Sequence, residues 1–124
     1  SKDYRDSAND NIMFVAQIES PTGVDVVEKL AQIDGLDIIM VASSDLSSFS
    51  GFKQGDEKYE SMVSKVSSTT LSSGLRLGGP YSWKNRKGFN FLQAPSADVL
   101  LSRGVKNLLE ETTDGIAETE GQER

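Results

Sequence analysis

Two short apolar runs separated by one predicted helix do most to constrain the fold of this chain. The runs cover residues 12–18 and 36–41, and each has the length of a strand. A continuous apolar run is typical of a strand that is covered on both faces. Between the runs, Ser20 and Pro21 form a helix start and Gly35 ends the helix. Two strands joined by a crossover helix are predicted to be parallel neighbours.

The same alternation continues to the end of the chain. After a loop at residues 43–51, a second helix is predicted over residues 56–73 and a third strand over residues 75–79. A fourth strand at residues 89–93 precedes a last helix at residues 96–111, whose candidate buried side chains are Val99, Leu100, Val105, Leu108 and Leu109. This order is a parallel (βα)4 unit of the α/β class. Because a complete (β/α)8 barrel takes about 250 residues, the 124 residues correspond to half of a TIM barrel.

The sequence predicts three regions of different character. Residues 1–11 are polar and form a lead-in, and residues 12–111 form the half-barrel domain. Residues 110–124 contain six acidic residues and one basic residue, which accounts for −5 of the net charge of −6. The segment 112–124 is therefore expected to be a disordered acidic tail. The nearly neutral body gives no electrostatic reason to expect a nucleic acid partner.

The absence of histidine and cysteine narrows the chemistry that the chain can perform. Thiolate sites, histidine-containing zinc sites and a Ser-His-Asp triad are all excluded. A bound metal must then be a hard, oxygen-ligated ion such as Mg²⁺ or Mn²⁺. The chain also has no apolar run of the roughly 18 residues that a membrane span needs, no apolar signal segment and no Asn-x-Ser/Thr sequon. These features favour a cytoplasmic protein without a membrane partner.

Two carboxylates follow consecutive predicted strands. Glu19 ends the first apolar run, and Asp45 follows the second. Since the carboxyl ends of neighbouring parallel strands meet at one edge, about 4.8 Å apart, the two groups could share one cation. Gln17 lies on the same strand face as Glu19 and could take part. In the alternative interpretation, Glu19 stabilises the start of the next helix and Asp45 caps a turn.

The residues around this carboxylate pair resemble a known family. Residues 14–20 (FVAQIES) resemble the Q-I-E-[ST] strand of the HpcH/HpaI aldolase/citrate lyase family, and residues 39–47 (IMVASSDLS) resemble its G-P-x-D-L-S loop. Residues 73–79 (SGLRLGG) are similar to the strand that follows. The resemblance extends over residues 11–109 and corresponds to strands five to eight of the family's barrel.

The resemblance implies a divalent-metal-dependent aldolase that acts on 2-oxo acids of the pyruvate type. It makes Glu19 and Asp45 the ligands of Mg²⁺, or of Mn²⁺ or Co²⁺, which stabilises the enolate of the substrate. It also implies that Gln17 contacts the keto acid and that the backbone N–H groups of Ser44 and Asp45 receive its carboxylate. The strand edges left open by half a barrel predict a homo-oligomer.

Two differences from the family pattern leave other functions open. Ala42 and Ser43 replace the family's Gly-Pro, and the family's catalytic arginine and histidine lie on strands with no match in this chain. A non-catalytic fragment or descendant that acts as a binding or antigenic protein is therefore the alternative, and an unrelated flavodoxin-like α/β domain is a third. A basic segment with Lys84, Arg86 and Lys87 is either an anion-binding loop or a solvated turn.

Overall fold

A sheet of four parallel strands forms the centre of the fold. The computed structural model describes residues 7–121, and the side chains of residues 7–111. The strands, which lie side by side in chain order, are β1 (Val15–Ile18), β2 (Ile38–Val41), β3 (Arg76–Pro80) and β4 (Phe89–Gln93). All three pairings are parallel. The predicted α/β fold with parallel strands is therefore confirmed.

Helices follow each of the strands except β3. They are α1 (Pro21–Asp25), α2 (Val27–Leu30), α3 (Ser43–Ser50), α4 (Glu57–Ser72) and α5 (Ala97–Gly121), with short 3₁₀ helices at Asn9–Asn11 and Tyr81–Trp83. Helix α4 packs against β2 and β3 and against α1 and α2. The connection from β3 to β4 is made by residues 81–88, which contain the 3₁₀ helix and no α-helix.

The hydrophobic core lies between the sheet and the helices that precede β4. On β2, Ile39 and Val41 belong to this core. Ile38 and Met40 alternate with them along the strand, and they are buried but are not part of the core cluster. From the helices, the core receives the buried side chains of Val24, Val27, Leu46, Tyr59, Val63 and Val66. The core therefore holds α3 and α4 against the sheet.

The first strand and the helix that follows it both differ from their predictions. Strand β1 begins at Val15, three residues later than predicted, and Phe14 before it is 63% exposed. The single helix predicted between β1 and β2 is divided at Val26, where φ is −100° and ψ is 4°. Gly23 and the β-branched valines of this segment have low helix propensity, so a break costs little here.

The predicted loop at residues 43–51 is wrong, because these residues form helix α3 and its cap. Helix α3 ends at Gly51, whose φ of +75° suits glycine. Its serine-rich sequence has little intrinsic helix propensity. The helix is instead stabilised from outside, since Leu46 is fully buried in the core and Ser43 accepts a hydrogen bond from another helix.

Helix α5 belongs to the second of the two compact units into which the chain divides, residues 1–93 and 94–124. It continues ten residues past its predicted end to Gly121, so residues 112–121 are helical where a disordered tail was expected. Residues 122–124 lie outside the described part, and the predicted domain boundaries stay predictions. Its expected buried residues are largely exposed, as Leu100 at 50% and Val105 at 56% show. Within residues 7–121, no helix is long and apolar enough to cross a membrane.

Candidate metal centre

The carboxylate pair Glu19 and Asp45 lies at the carboxyl ends of two neighbouring strands. The register pairs Ile18 with Val41, and the Ala42 amide donates to the Ile18 carbonyl oxygen at 3.0 Å. Glu19 follows β1 directly, and Asp45 is in the first turn of α3, which begins two residues after β2. Both side chains are exposed. The sheet therefore brings the two carboxylates to the same end of the sheet, where the strands have their carboxyl ends.

Neither carboxylate caps an adjacent helix through its side chain. Ser20 is the N-cap of α1, and its Oγ accepts from the Gly23 amide at 3.3 Å. The N-cap of α3 is Ala42, and no side chain caps this helix. Asp45 lies inside the helix rather than at the capping position. Both carboxylates can still stabilise the adjacent helix start, because a negative charge is favourable near the positive end of the helix dipole.

Backbone N–H groups at the start of α3 face the same end of the sheet. The first amide of this helix to bond within it is that of Leu46, which donates to the Ala42 carbonyl oxygen at 2.9 Å. The amides of Ser44 and Asp45 precede it, and a helix offers no internal acceptor to its first amides. They are therefore suitable donors for an anionic group, as the family resemblance implies.

The predicted site side chains have no polar partner among the residues that the structure describes. Among the described residues, Gln17, Glu19, Ser44 and Asp45 form no side-chain hydrogen bond or ion pair. No group of three or more potential metal ligands occurs in that part of the chain. Two carboxylates can nevertheless hold Mg²⁺ when water and substrate oxygens complete its octahedral shell.

Two arginines, Arg76 and Arg86, are candidates for an anion site, and neither is available at the carboxylate pair. Arg76 pairs in register with Ile38 at the amino end of β2, opposite to the carboxylates. The Arg86 guanidinium binds both carboxylate oxygens of Glu60, at 2.9 and 3.0 Å, and stacks on Trp83 with 4.2 Å between Cζ and the ring centroid. This hydrogen bond lowers the pKa of Glu60. Arg86 is therefore engaged internally rather than available to an anion.

The opposite end of the sheet carries a shallow cleft that is separate from these carboxylates. Its volume is about 200 Å³, and it is lined by Phe14, Ile33, Asp34, Gly35 and Leu36. Phe14 and Leu36 precede β1 and β2, so the cleft lies at the amino ends of the strands. Active sites of (β/α)8 barrels lie at the carboxyl ends, which favours the carboxylate pair over the cleft.

One residue near the candidate centre was not predicted from the sequence. The hydroxyl of Tyr59, a fully buried residue of α4, donates to the Ser43 carbonyl oxygen at 3.0 Å. Burial raises the pKa of Tyr59 to about 12. Helical spacing identifies Tyr59 as a core residue, but its partner lies 16 residues earlier and leaves no local signal.

Four parallel strands in chain order make this an α/β protein, and the order is that of half of a (β/α)8 barrel. The family model of the HpcH/HpaI aldolase/citrate lyase family matches residues 1–76. The chain therefore belongs to the HpcH/HpaI aldolase/citrate lyase family, as the strand-end residues indicate.

Similar proteins include aldolases that are longer than this chain. A hydroxypyruvate/pyruvate aldolase of Paraburkholderia phytofirmans is 32% identical over 120 residues, which cover 89% of this chain and 45% of that protein. A 5-keto-4-deoxy-D-glucarate aldolase of Klebsiella pneumoniae is 47% identical over 49 residues, or 40% of this chain and 19% of that protein. The chain thus spans less than half the length of these relatives.

Solved structures agree on the fold. An HpcH/HpaI aldolase/citrate lyase family protein from Burkholderia cenocepacia superposes with a TM-score of 0.74 at 28% identity, covering 90% of this chain and 47% of that one. The citrate synthase SbnG gives a TM-score of 0.69 at 23% identity, with 92% and 50% covered. The chain therefore has the fold of about half of such a protein.

Proposed function

We propose that this chain carries the metal-binding half of an aldolase site, in which a divalent cation and a 2-oxo acid of the pyruvate type meet at the carboxyl ends of β1 and β2. One observation carries the proposal. Glu19 and Asp45 lie at neighbouring strand ends without side-chain partners in the described part of the chain, and neither of them caps a helix, since Ser20 caps α1 and no side chain caps α3. Family membership supports an aldolase activity.

The residues at this edge fit a hard cation. Glu19 and Asp45 would hold it through carboxylate oxygens, which Mg²⁺ prefers and which Mn²⁺ and Co²⁺ accept. When bound, the cation would offset negative charge that develops on the keto oxygen of the substrate. Gln17 would contact the keto acid through its amide. The amides of Ser44 and Asp45 would orient the substrate carboxylate by donating to it.

A non-catalytic role is the second candidate, and one specific observation favours it. The sequence contains no histidine, so a base of the type that the family resemblance implies is missing. Ala42 and Ser43, which replace the family's Gly-Pro, are both nearly buried. A protein that binds metal without performing aldol chemistry would retain the carboxylate pair and lack the groups that move protons.

Titration of the metal-free 124-residue protein with Mn²⁺, and then with pyruvate, tests the proposal. We expect Mn²⁺ to bind, and pyruvate to bind only when Mn²⁺ is present. Glu19→Gln and Asp45→Asn should each weaken Mn²⁺ binding at least about tenfold, or 1.4 kcal/mol. Glu28→Gln and Asp34→Asn are matched controls, because they remove the same charge from exposed carboxylates on α2 and at the amino end of β2.

The outcomes separate the two candidates. If the wild-type protein fails to bind Mn²⁺, or if the four variants lose the same affinity, the metal centre is wrong. If Mn²⁺ binding depends on Glu19 and Asp45 but pyruvate does not bind, the non-catalytic candidate is favoured. Pyruvate binding that requires the metal and both carboxylates supports the aldolase half-site.

We further propose that the chain associates with itself through its open strand edges. In the described sheet, β1 and β4 each pair on one side, and an unpaired edge is a template for another strand. The aldolase of Paraburkholderia phytofirmans is about twice as long as this chain. This length supports the proposal that the sheet of this chain pairs with further strands. A cytoplasmic location, suited to small 2-oxo acid substrates, is part of the same proposal.

A further inference from the structure

Tyr59 connects the helix that follows α3 to the first residue of α3. Its side chain is fully buried in the core, and its hydroxyl donates to the Ser43 carbonyl oxygen at 3.0 Å. In the described residues, this is the one side-chain hydrogen bond that reaches the first turn of α3 from another element. A carbonyl oxygen has two lone pairs, so Ser43 can accept it in addition to a bond within the helix.

The first turn of α3 depends on such support. It has no side-chain N-cap, its sequence is serine-rich, and the whole helix has eight residues. Short helices of low propensity are stabilised chiefly by tertiary contacts. The two residues after Ser43 are Ser44 and Asp45, which hold the amides and the carboxylate of the candidate metal centre. A shift of this turn would move all three groups together.

The position of Tyr59 is itself fixed by the contacts of its neighbour in the chain. Glu60, the neighbour of Tyr59, binds Arg86 through both carboxylate oxygens and accepts from the Gly55 amide at 3.1 Å. Arg86 in turn stacks on the buried Trp83. These contacts join the start of α4 to the connection between β3 and β4. A tyrosine hydroxyl is protonated at neutral pH even at its ordinary pKa of about 10, so the Tyr59 hydroxyl is a donor there.

We infer that Tyr59 is a positioning residue of the metal centre: its hydroxyl holds the first turn of α3, so that the Asp45 carboxylate and the Ser44 and Asp45 amides stay at the carboxyl end of β2. This inference rests on the proposed function, since it assigns a role at the same site. Tyr59 acts through Ser43 and has no contact with the cation or the substrate.

Tyr59→Phe keeps the buried ring and removes the hydrogen bond. The matched control is Thr70→Val, because Thr70 lies on the same helix, is fully buried and donates its hydroxyl to the Val66 carbonyl oxygen at 2.7 Å. It is 11 residues from Tyr59, or about 16 Å along the helix. We expect Tyr59→Phe to weaken Mn²⁺ binding three- to tenfold and Thr70→Val to change it less than twofold, although both lower the urea midpoint.

A second measurement, hydrogen exchange in the metal-free protein, reports on α3 directly. The Leu46 amide closes the first turn by donating to Ala42, so its exchange should accelerate several-fold in Tyr59→Phe relative to Thr70→Val. If wild-type protein binds Mn²⁺ and Tyr59→Phe binds it equally well, the inference is overturned while the metal centre stands. Equal Leu46 exchange in the two variants also overturns it. If wild-type protein binds no Mn²⁺, the proposed function fails instead, and the role of Tyr59 at that centre fails with it.

Discussion

Gly79 of β3 lies where two aromatic rings leave no room for a side chain. An ideal Cβ at this position would be 2.9 Å from Phe89 Cδ1 and 3.0 Å from Trp83 Cε3. Trp83 and Phe89 are both buried and pack edge to face, with ring centroids 5.1 Å apart. Gly79→Ala must therefore push these rings apart by a few tenths of an ångström, because neither ring is a flexible side chain.

The cost of this substitution follows from the contacts that it disturbs. Overpacking a well-packed core by one methyl group costs about 1–3 kcal/mol. Replacing glycine also lowers the conformational entropy of the unfolded chain. This raises the free energy of unfolding by about 0.4–1 kcal/mol where the native backbone suits alanine. The net loss should be about 1–2 kcal/mol. Gly23→Ala is the matched control, because its Cβ would meet no atom closer than 3.5 Å and it lies in helix α1.

Urea unfolding monitored by the fluorescence of Trp83, the single tryptophan, measures both variants. With a slope of about 2 kcal/mol per molar urea, the middle of the usual range, Gly79→Ala should lower the midpoint by about 0.5–1 M. Gly23→Ala should leave the midpoint unchanged or raise it, because alanine is the better helix former. An unchanged midpoint in Gly79→Ala, with the expected behaviour of Gly23→Ala, would refute the close packing of Gly79 against the two rings.

Two further predictions concern charge and assembly. The hydrogen bond from Arg86 lowers the pKa of Glu60 below its ordinary value of 4.5. The stability that this ion pair gives the fold is therefore fully present above pH 4.5 and is lost as the pH falls through the pKa of Glu60 in the folded protein. The difference in urea midpoint between wild type and Glu60→Gln should shrink over that range, and a constant difference would contradict the ion pair. Self-association through β1 and β4 predicts a sedimentation coefficient that rises with protein concentration, whereas a monomer at all concentrations with a sharp unfolding transition counts against it.

The sequence predicts best those elements whose signal is local. Strand β4 matches its prediction over Phe89–Gln93, and the parallel order of β1 and β2 follows from the intervening helix. An apolar run marks β2 because each of its four residues is buried, whereas β1 and β4 keep exposed positions. The strand-end location of Glu19 and Asp45 follows from the same pattern. No distance between these two groups can be predicted in this way.

The elements that were predicted incorrectly depend on distant residues. Helix α3 was expected to be a loop because its serines favour turns and caps, yet Leu46 is buried in the core and Tyr59 binds Ser43. Arg86 was one of three basic residues in a polar segment, and its partner Glu60 lies 26 residues earlier. Propensity and spacing describe only near neighbours, so tertiary contacts of this kind override them.

The absence of histidine limits what self-association could add to the candidate site. Glu19 directly follows β1, which lies at the edge of the described sheet, so a strand that pairs with this edge would come close to the carboxylate pair. A second copy of this sequence would bring further carboxylates but no imidazole. A homo-oligomer could therefore complete the sheet and shield the carboxylate pair from water, yet a proton-transfer group would have to come from another residue type or another polypeptide. Closing the barrel and restoring aldolase chemistry are thus separate requirements.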